Sequence, residues 1–214
     1  PRVYAVAREW AVLPPHLAAD FRQTYLSTPA RNMFVLHELR DVLDRLASAR
    51  VGVVVLKGAA LAEDLYENEA LRPLGDVDLL VRRDDMPAAV EALVAAGYTG
   101  SGPEPRAGSS LAFENEIMLW RPDRPVAPVE LHWSLFDSPH YQSILPMAWF
   151  RDTAVPGRVA GGTALVLAPE ALILHLCGHL ALHHGQAESL DLLWRHDVAE
   201  VIQRHTERLD WDLV

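Results

Sequence analysis

A single cysteine, Cys177, stands in 214 residues, so no disulfide can form within the chain and a reducing compartment is expected. Positive charge is also scarce. Nineteen lysines and arginines face 29 aspartates and glutamates, a net charge of −10 at pH 7. Phosphate backbones demand a basic footprint, so extended nucleic acid is not an expected partner. No apolar run approaches the length of a membrane span, the first residues do not read as a signal peptide, and no internal repeat or low-complexity tract occurs. These absences point to a soluble cytoplasmic protein with no membrane partner. The chain is long enough to bury a substantial core, as one large domain or one domain with an appended helical part.

What the chain does have is Gly75-Asp76-Val77-Asp78-Leu79-Leu80-Val81, two carboxylates in an otherwise apolar strand. Side chains alternate faces along a strand, so Asp76 and Asp78 point one way and Val77 and Leu79 the other. Like charges repel, and desolvation sharpens the repulsion unless a cation sits between them. The pair reads as a divalent-metal site whose oxygen ligands suit Mg2+ or Mn2+. On the same argument, neutralising Asp78 is expected to relieve strain in the metal-free protein. The competing reading is a turn aspartate after Gly75 and a solvated Asp78 at the strand end.

Two neighbouring segments favour the metal site. Upstream, Val51-Gly52-Val53-Val54-Val55-Leu56 is a β-branched apolar run ending in Lys57-Gly58-Ala59-Ala60, with a helical pattern through Leu61, Leu65 and Tyr66. A strand, a tight glycine turn and a helix start present free backbone N–H groups, where phosphate binds. Downstream, Val129-Glu130-Leu131-His132-Trp133 is a short strand whose Glu130 is a candidate third ligand. His132 is expected on the opposite face from Glu130, as a structural or supporting residue. Arg72, four residues before Asp76, is a candidate partner for phosphate or for the acidic cluster.

These segments, together with Leu71-Arg72-Pro73-Leu74 and Ala96-Gly97-Tyr98, resemble nucleotidyltransferases of the DNA polymerase beta superfamily, specifically its bacterial uncharacterised nucleotidyltransferases. A weaker echo follows near His179 and around Asp197. The resemblance implies that Asp76, Asp78 and Glu130 are catalytic and hold two Mg2+ or Mn2+ ions, and that Gly58 and the amides after it cradle the triphosphate. It also implies transfer of a nucleoside monophosphate from an NTP such as ATP, with release of pyrophosphate. One departure stands out: most superfamily members carry Gly-Ser at the turn, whereas Gly58 is followed by Ala59. Lys57 is then the residue able to supply the missing phosphate contact as a point charge. The acceptor is unidentified, and the acidic balance favours a small molecule or a protein.

Elsewhere the pattern predicts N-terminal helices over residues 1–50, a nucleotidyltransferase core over 51–150 and a C-terminal helical part over 151–214. Ala30 to Arg50 places Phe34, Leu36, Leu39, Val42, Leu43 and Leu46 at helical spacing. A helix from Met86 to Ala96 is capped by Asp84 or Asp85 and ended by Gly97. A loop over Gly100 to Ser110, strands over 111–120 and 126–133, and helices over 169–184 and 189–208 complete the pattern. With the resemblance, the fold class expected is α/β (α+β), a polymerase-beta-like mixed sheet of four or five strands with helices on one side and the cleft between the core and the helical part.

His175, His179 and His183 recur at i, i+4, i+8 on one helical face, a spacing able to grip a transition metal. The glutamate of an H-E-x-x-H protease is absent. Of the three, His179 is the candidate for the acceptor cleft, because the resemblance places a histidine there. A histidine-based metallohydrolase and a nucleotide-binding module without turnover are the two rival functions.

Overall fold

A computed structural model of the chain describes residues 1–7, 14–66, 68, 70–100, 114–136, 138–182 and 191–214. Its centre is a seven-stranded mixed sheet in the order β3-β4-β5-β2-β1-β7-β6. The strands are β1 (Val53–Val55), β2 (Val77–Val81), β3 (Thr99–Gly100), β4 (Glu116–Trp120), β5 (Val129–His132), β6 (Val155–Val159) and β7 (Gly162–Val166). The helices are α1 (Arg2–Ala7), α2 (Pro15–Ser48), α3 (Lys57–Ala62), α4 (Met86–Ala95), α5 (Pro139–Ile144), α6 (Met147–Asp152), α7 (Pro169–Leu182) and α8 (Asp191–His205). β2 runs antiparallel to β1 and parallel to β5, while β1 runs parallel to β7.

Strand alternation divides the core in two. Val55, Val77, Leu79, Val81, Val129 and Leu131 pack on one face against Val35, Leu39, Val42 and Leu46 of α2 and Ala89 and Leu93 of α4. Val54, Leu56 and Leu80 face the other way, against Ala171, Leu172, Ile173 and Leu176 of α7 and Val201 of α8. Helices therefore cover both faces, not one as expected, because the central strands are apolar on both sides. Each fully buried leucine or valine contributes roughly 1.5–3 kcal/mol to this core. Asp78 sits on the second face beside Leu80, so the acidic side chains look toward α7 and α8.

Several local expectations need amendment. α2 buries a Val35-Leu39-Val42-Leu46 stripe, and Phe34, one position out of step, is 57% exposed. The sheet has seven strands because the segment 151–214 also supplies the β6–β7 hairpin, which joins the sheet beside β1. Ala160 and Gly161 turn that hairpin with φ of 53° and 68°. α4 ends at Gly97 with φ of 92°, the left-handed stop expected of it, but Asp85 at its N-cap makes no side-chain capping bond. α3 stops at Ala62, short of Leu65 and Tyr66. The expected loop from 101, the strand start at Leu111 and the helix ends at 183–190 lie outside the described residues.

Candidate active site

Register brings the carboxylates together. In the parallel β2–β5 pair Asp78 lies directly opposite Glu130, so their side chains share a face. In the antiparallel β4–β5 pair Glu116 lies opposite His132. His132 is two residues after Glu130, so alternation returns it to the Glu130 face, contrary to the expectation that it would point away. Its Nε2 lies 3.0 Å from Asp78 Oδ1 and 3.6 Å from Glu130 Oε2, and its Nδ1 lies 3.0 Å from Glu116 Oε2. Ligand atoms of Asp78, Glu130 and His132 fall within 4.8 Å of one another, so the two carboxylates can share one cation, which the imidazole can join only in its neutral form. Asp76, just before β2, stands outside that trio but interacts electrostatically with both Asp78 and Glu130.

Lys57 completes the cluster. It opens α3 with a φ of 42°, and its Nζ donates a 2.8 Å bond to Asp78 Oδ1. It is the only lysine in the chain. Asp78 is 2% exposed. Burial alone would push its carboxyl up, but Lys57 and the His132 hydrogen bond hold it well below the usual carboxylate range. Asp76 has the opposite fate. Burial, then Asp78 and Glu130, push its pKa up to about 6. Burial would lower His132, yet its bonds to Asp78, Glu116 and Glu130 push it up to about 10, so both ring nitrogens carry protons. Four carboxylates against two cations leave a charge of minus two, which one divalent ion would neutralise.

The cluster lies in a cleft of about 810 Å³. Thr24, Ser27, Thr28 and Arg31 of α2 line one wall, and His175 and His179 of α7 with Trp194 of α8 line another. The match of the whole chain, residues 1–214, is to the family described as uncharacterised nucleotidyltransferase. The chain belongs to that family. No curated protein matches it. Among solved structures, an antigenic nucleotidyltransferase-like protein from Paracoccidioides brasiliensis is similar at 19% identity and a TM-score of 0.50, over 79% of this chain and 76% of that one. The antibiotic-resistance factor ANT(2'')-Ia is similar at 9% identity and a TM-score of 0.54, over 79% and 83%. The lincosamide antibiotic adenylyltransferase LnuA, solved with lincomycin bound, is similar at 13% identity and a TM-score of 0.50, over 77% and 94%. At these identities the likeness shows the shared fold, and the expected polymerase-beta-like mixed sheet is the one observed.

In this family member the segment around Gly58 is built differently from a simple phosphate turn. A Cβ on Gly58 would fall 2.5 Å from Arg72 Nη1 and 3.2 Å from Leu74 Cδ2, so the glycine is where the Arg72 guanidinium rests. Arg72 was expected to meet phosphate or the acidic cluster. Its acidic partner is instead Asp197 of α8, which is 0% exposed, with Nη2 to Oδ2 at 2.8 Å and Nε to Oδ1 at 3.3 Å. Tyr66 donates its hydroxyl to the same carboxylate, and Asn32 of α2 accepts from the Leu74 amide and donates to the Arg72 carbonyl. The two outer helices are thereby tied to the loop that carries Asp76. Ala59 is buried in the core and does not line the cleft, whereas Lys57, Gly58 and Arg72 do.

The histidine face resolves in the same terms. His175 and His179 rings are 6.2 Å apart, and the His179 ring meets Trp194 edge-on at 5.3 Å. His183 lies outside the described residues. Among the described residues no carboxylate joins these histidines in a metal-binding group. The position after His175, where an H-E-x-x-H protease carries glutamate, is Leu176, buried in the core, and a Cβ on Gly178 would fall 2.2 Å from Phe136 Cε1, so this turn of α7 is given over to packing. Sequence reasoning missed Glu116, Trp194 and the Asp197 pairing. The solitary lysine beside the glycine turn was a signal that pointed to Lys57.

Proposed function

We propose that the protein is a divalent-metal-dependent nucleotidyltransferase that moves a nucleoside monophosphate from an NTP to a hydroxyl acceptor on a small molecule or protein, releasing pyrophosphate. The observation that carries this reading is the paired Asp78–Glu130 row, with Asp76 beside it, on the floor of a large cleft. The donor set fits Mg2+ or Mn2+. It is rich in carboxylate oxygen, and Asp76 is raised by burial and then by the charges of Asp78 and Glu130, which a bound cation would offset. Asp76, Asp78 and Glu130 would hold the ions, which when bound neutralise the triphosphate and the approaching nucleophile.

The chain's own residues supply the rest. Lys57, at the cleft edge of α3, offers a point charge to the phosphates in place of the serine hydroxyl that Ala59 lacks. Arg72, pinned by Asp197, adds positive potential beside Gly58 and holds the Asp76 loop against α8. The acceptor oxygen bonds to the α-phosphorus, the bond to the β-phosphate bridging oxygen breaks, and that electron pair leaves with pyrophosphate. The likeness over 77–79% of this chain to the antibiotic-resistance factor ANT(2'')-Ia and the lincosamide antibiotic adenylyltransferase LnuA supports a small-molecule acceptor ahead of a protein. The acidic balance of the chain gives extended nucleic acid little to bind.

Incubation with each labelled NTP and Mg2+ tests the reading. Pyrophosphate release or self-labelling is expected, and both should vanish with chelator. One observation favours a second reading, nucleotide binding without turnover: Lys57 already neutralises Asp78. NTP binding with no pyrophosphate release under any condition would select it.

A further inference from the structure

On the α7 wall of the cleft, His175 is 1% exposed, and neither Nδ1 nor Nε2 has a hydrogen-bond partner among the described residues. An imidazole carries at least one donor or acceptor on each nitrogen. Leaving both unmet under burial destabilises the fold, and a leucine would fill the same place without that penalty. A buried polar group that lowers stability and opens onto a cleft is the mark of a group kept for a ligand.

The chemistry of that ligand follows from the ring. Burial, then the nearby Lys57, His179 and His132, hold the His175 pKa well below its usual value, so the ring is neutral. A neutral imidazole offers one N–H and one lone pair. An anion would satisfy only the donor and an ammonium only the acceptor, whereas a hydroxyl, which donates and accepts, can satisfy either nitrogen. Along the same wall the Trp194 indole, met edge-on by the His179 ring, offers apolar surface for the carbon skeleton that bears such a hydroxyl.

Resting on the transfer reading above, we propose that His175 binds the acceptor substrate, holding the reacting hydroxyl of an uncharged alcohol by a hydrogen bond on the α7–α8 side of the cleft. His175 takes no proton in the reaction. As the oxygen bonds to the α-phosphorus and pyrophosphate departs, the hydroxyl proton passes to water in the cleft.

The test compares wild type with His175→Leu and His175→Gln, using glycerol, an uncharged alcohol, as the acceptor. Glutamine keeps a donor and an acceptor but no basic nitrogen. Three quantities are measured: the metal-free Tm, the affinity for a fluorescent ATP analogue with Mg2+, and pyrophosphate release from ATP. His175→Leu should raise Tm by about 2–4 °C. It should leave analogue affinity within about twofold of wild type and lower pyrophosphate release at least about tenfold, the loss of one positioned hydrogen bond. His175→Gln should keep most of the release. A Tm that falls by several degrees in His175→Leu would show the imidazole to be a structural group and overturn the proposal. So would unchanged release in that variant, or release lost equally in His175→Gln. Absence of pyrophosphate release in wild type is a different failure, because it removes the transfer reading itself and the acceptor with it.

Discussion

Neutralising the two aspartates of the strand should have opposite effects, and the structure says which is which. On strand alternation alone, Asp78 is the residue whose neutralisation relieves strain. In the structure Asp78 accepts from Lys57 at 2.8 Å and from the His132 ring at 3.0 Å, and its carboxyl is held far down. The strain falls on Asp76, whose pKa rises from 3.8 to about 6. That rise corresponds to roughly 3 kcal/mol at neutral pH, and partial solvent contact reduces it to about 1–3 kcal/mol. Asp76→Asn should therefore raise the metal-free Tm by about 3–8 °C. Asp78→Asn leaves Lys57 and His132 without their counter-charge, a loss of about 3–5 kcal/mol or a Tm lower by about 6–15 °C. For Asp76 the folded pKa lies above the unfolded one, so its contribution to stability is fully present below about pH 4 and is lost as pH rises through about 6. Asp76→Asn should flatten that part of the profile. Thermal unfolding in chelator from pH 4 to 8, repeated with Mg2+, measures all of this. A lowered Tm for Asp76→Asn together with a raised one for Asp78→Asn would refute the charge assignment.

Three further outcomes are expected. Burial notwithstanding, the carboxylates around His132 raise its pKa from 6.5 to about 10, so its stabilisation is complete below about pH 6.5 and is lost as pH rises through 10; metal-free His132→Gln should be less stable at pH 7 and lose that alkaline slope in a denaturation series. Gly58→Val should drive the Arg72 guanidinium from its place and cost about 3 kcal/mol of stability, read by urea unfolding, rather than sparing the fold while blocking phosphate. Asp197→Asn should cost about 3–5 kcal/mol, and Arg72→Met with Asp197→Leu should recover much of it, because removing both buried charges leaves neither unpaired; a double variant as unstable as the single one would show that the pair does more than neutralise itself.

The parts of the site legible in the sequence were those governed by alternation within one strand. Asp78 in its apolar strand and Glu130 in its own are visible at period two, and the structure sets them opposite each other. The same rule, applied over the two positions from Glu130 to His132, places the imidazole among the carboxylates. Pairing between distant segments was not legible. Arg72 and Asp197 are 125 residues apart, and no local pattern says that α8 returns to the Asp76 loop. Glu116 reads as an ordinary strand carboxylate until the register sets it against His132. The β6–β7 hairpin was hidden in a tail dominated by helical periodicity, although Ala160-Gly161-Gly162 ahead of the apolar run Ala164-Leu165-Val166-Leu167 carries a turn signal. The central strands and the helices before and after them followed from the order of apolar runs and the mixed sheet from the family resemblance, while the second helical face depended on strands being apolar on both sides.

The solitary lysine has a consequence for experiment as well as for chemistry. Its side chain is 14% exposed and its amine lies against Asp78 in the cleft, and no other side-chain amine exists in the 214 residues. Lysine labelled with 13C at the ε-carbon would give one side-chain resonance for the whole molecule, and that resonance would sit in the cleft. An acyl phosphate built on a nucleotide, which transfers its acyl group to a neighbouring amine, would have one lysine to mark. The protein thus carries an intrinsic reporter whose signal needs no assignment, and occupancy of the cleft can be followed without knowing what the acceptor is.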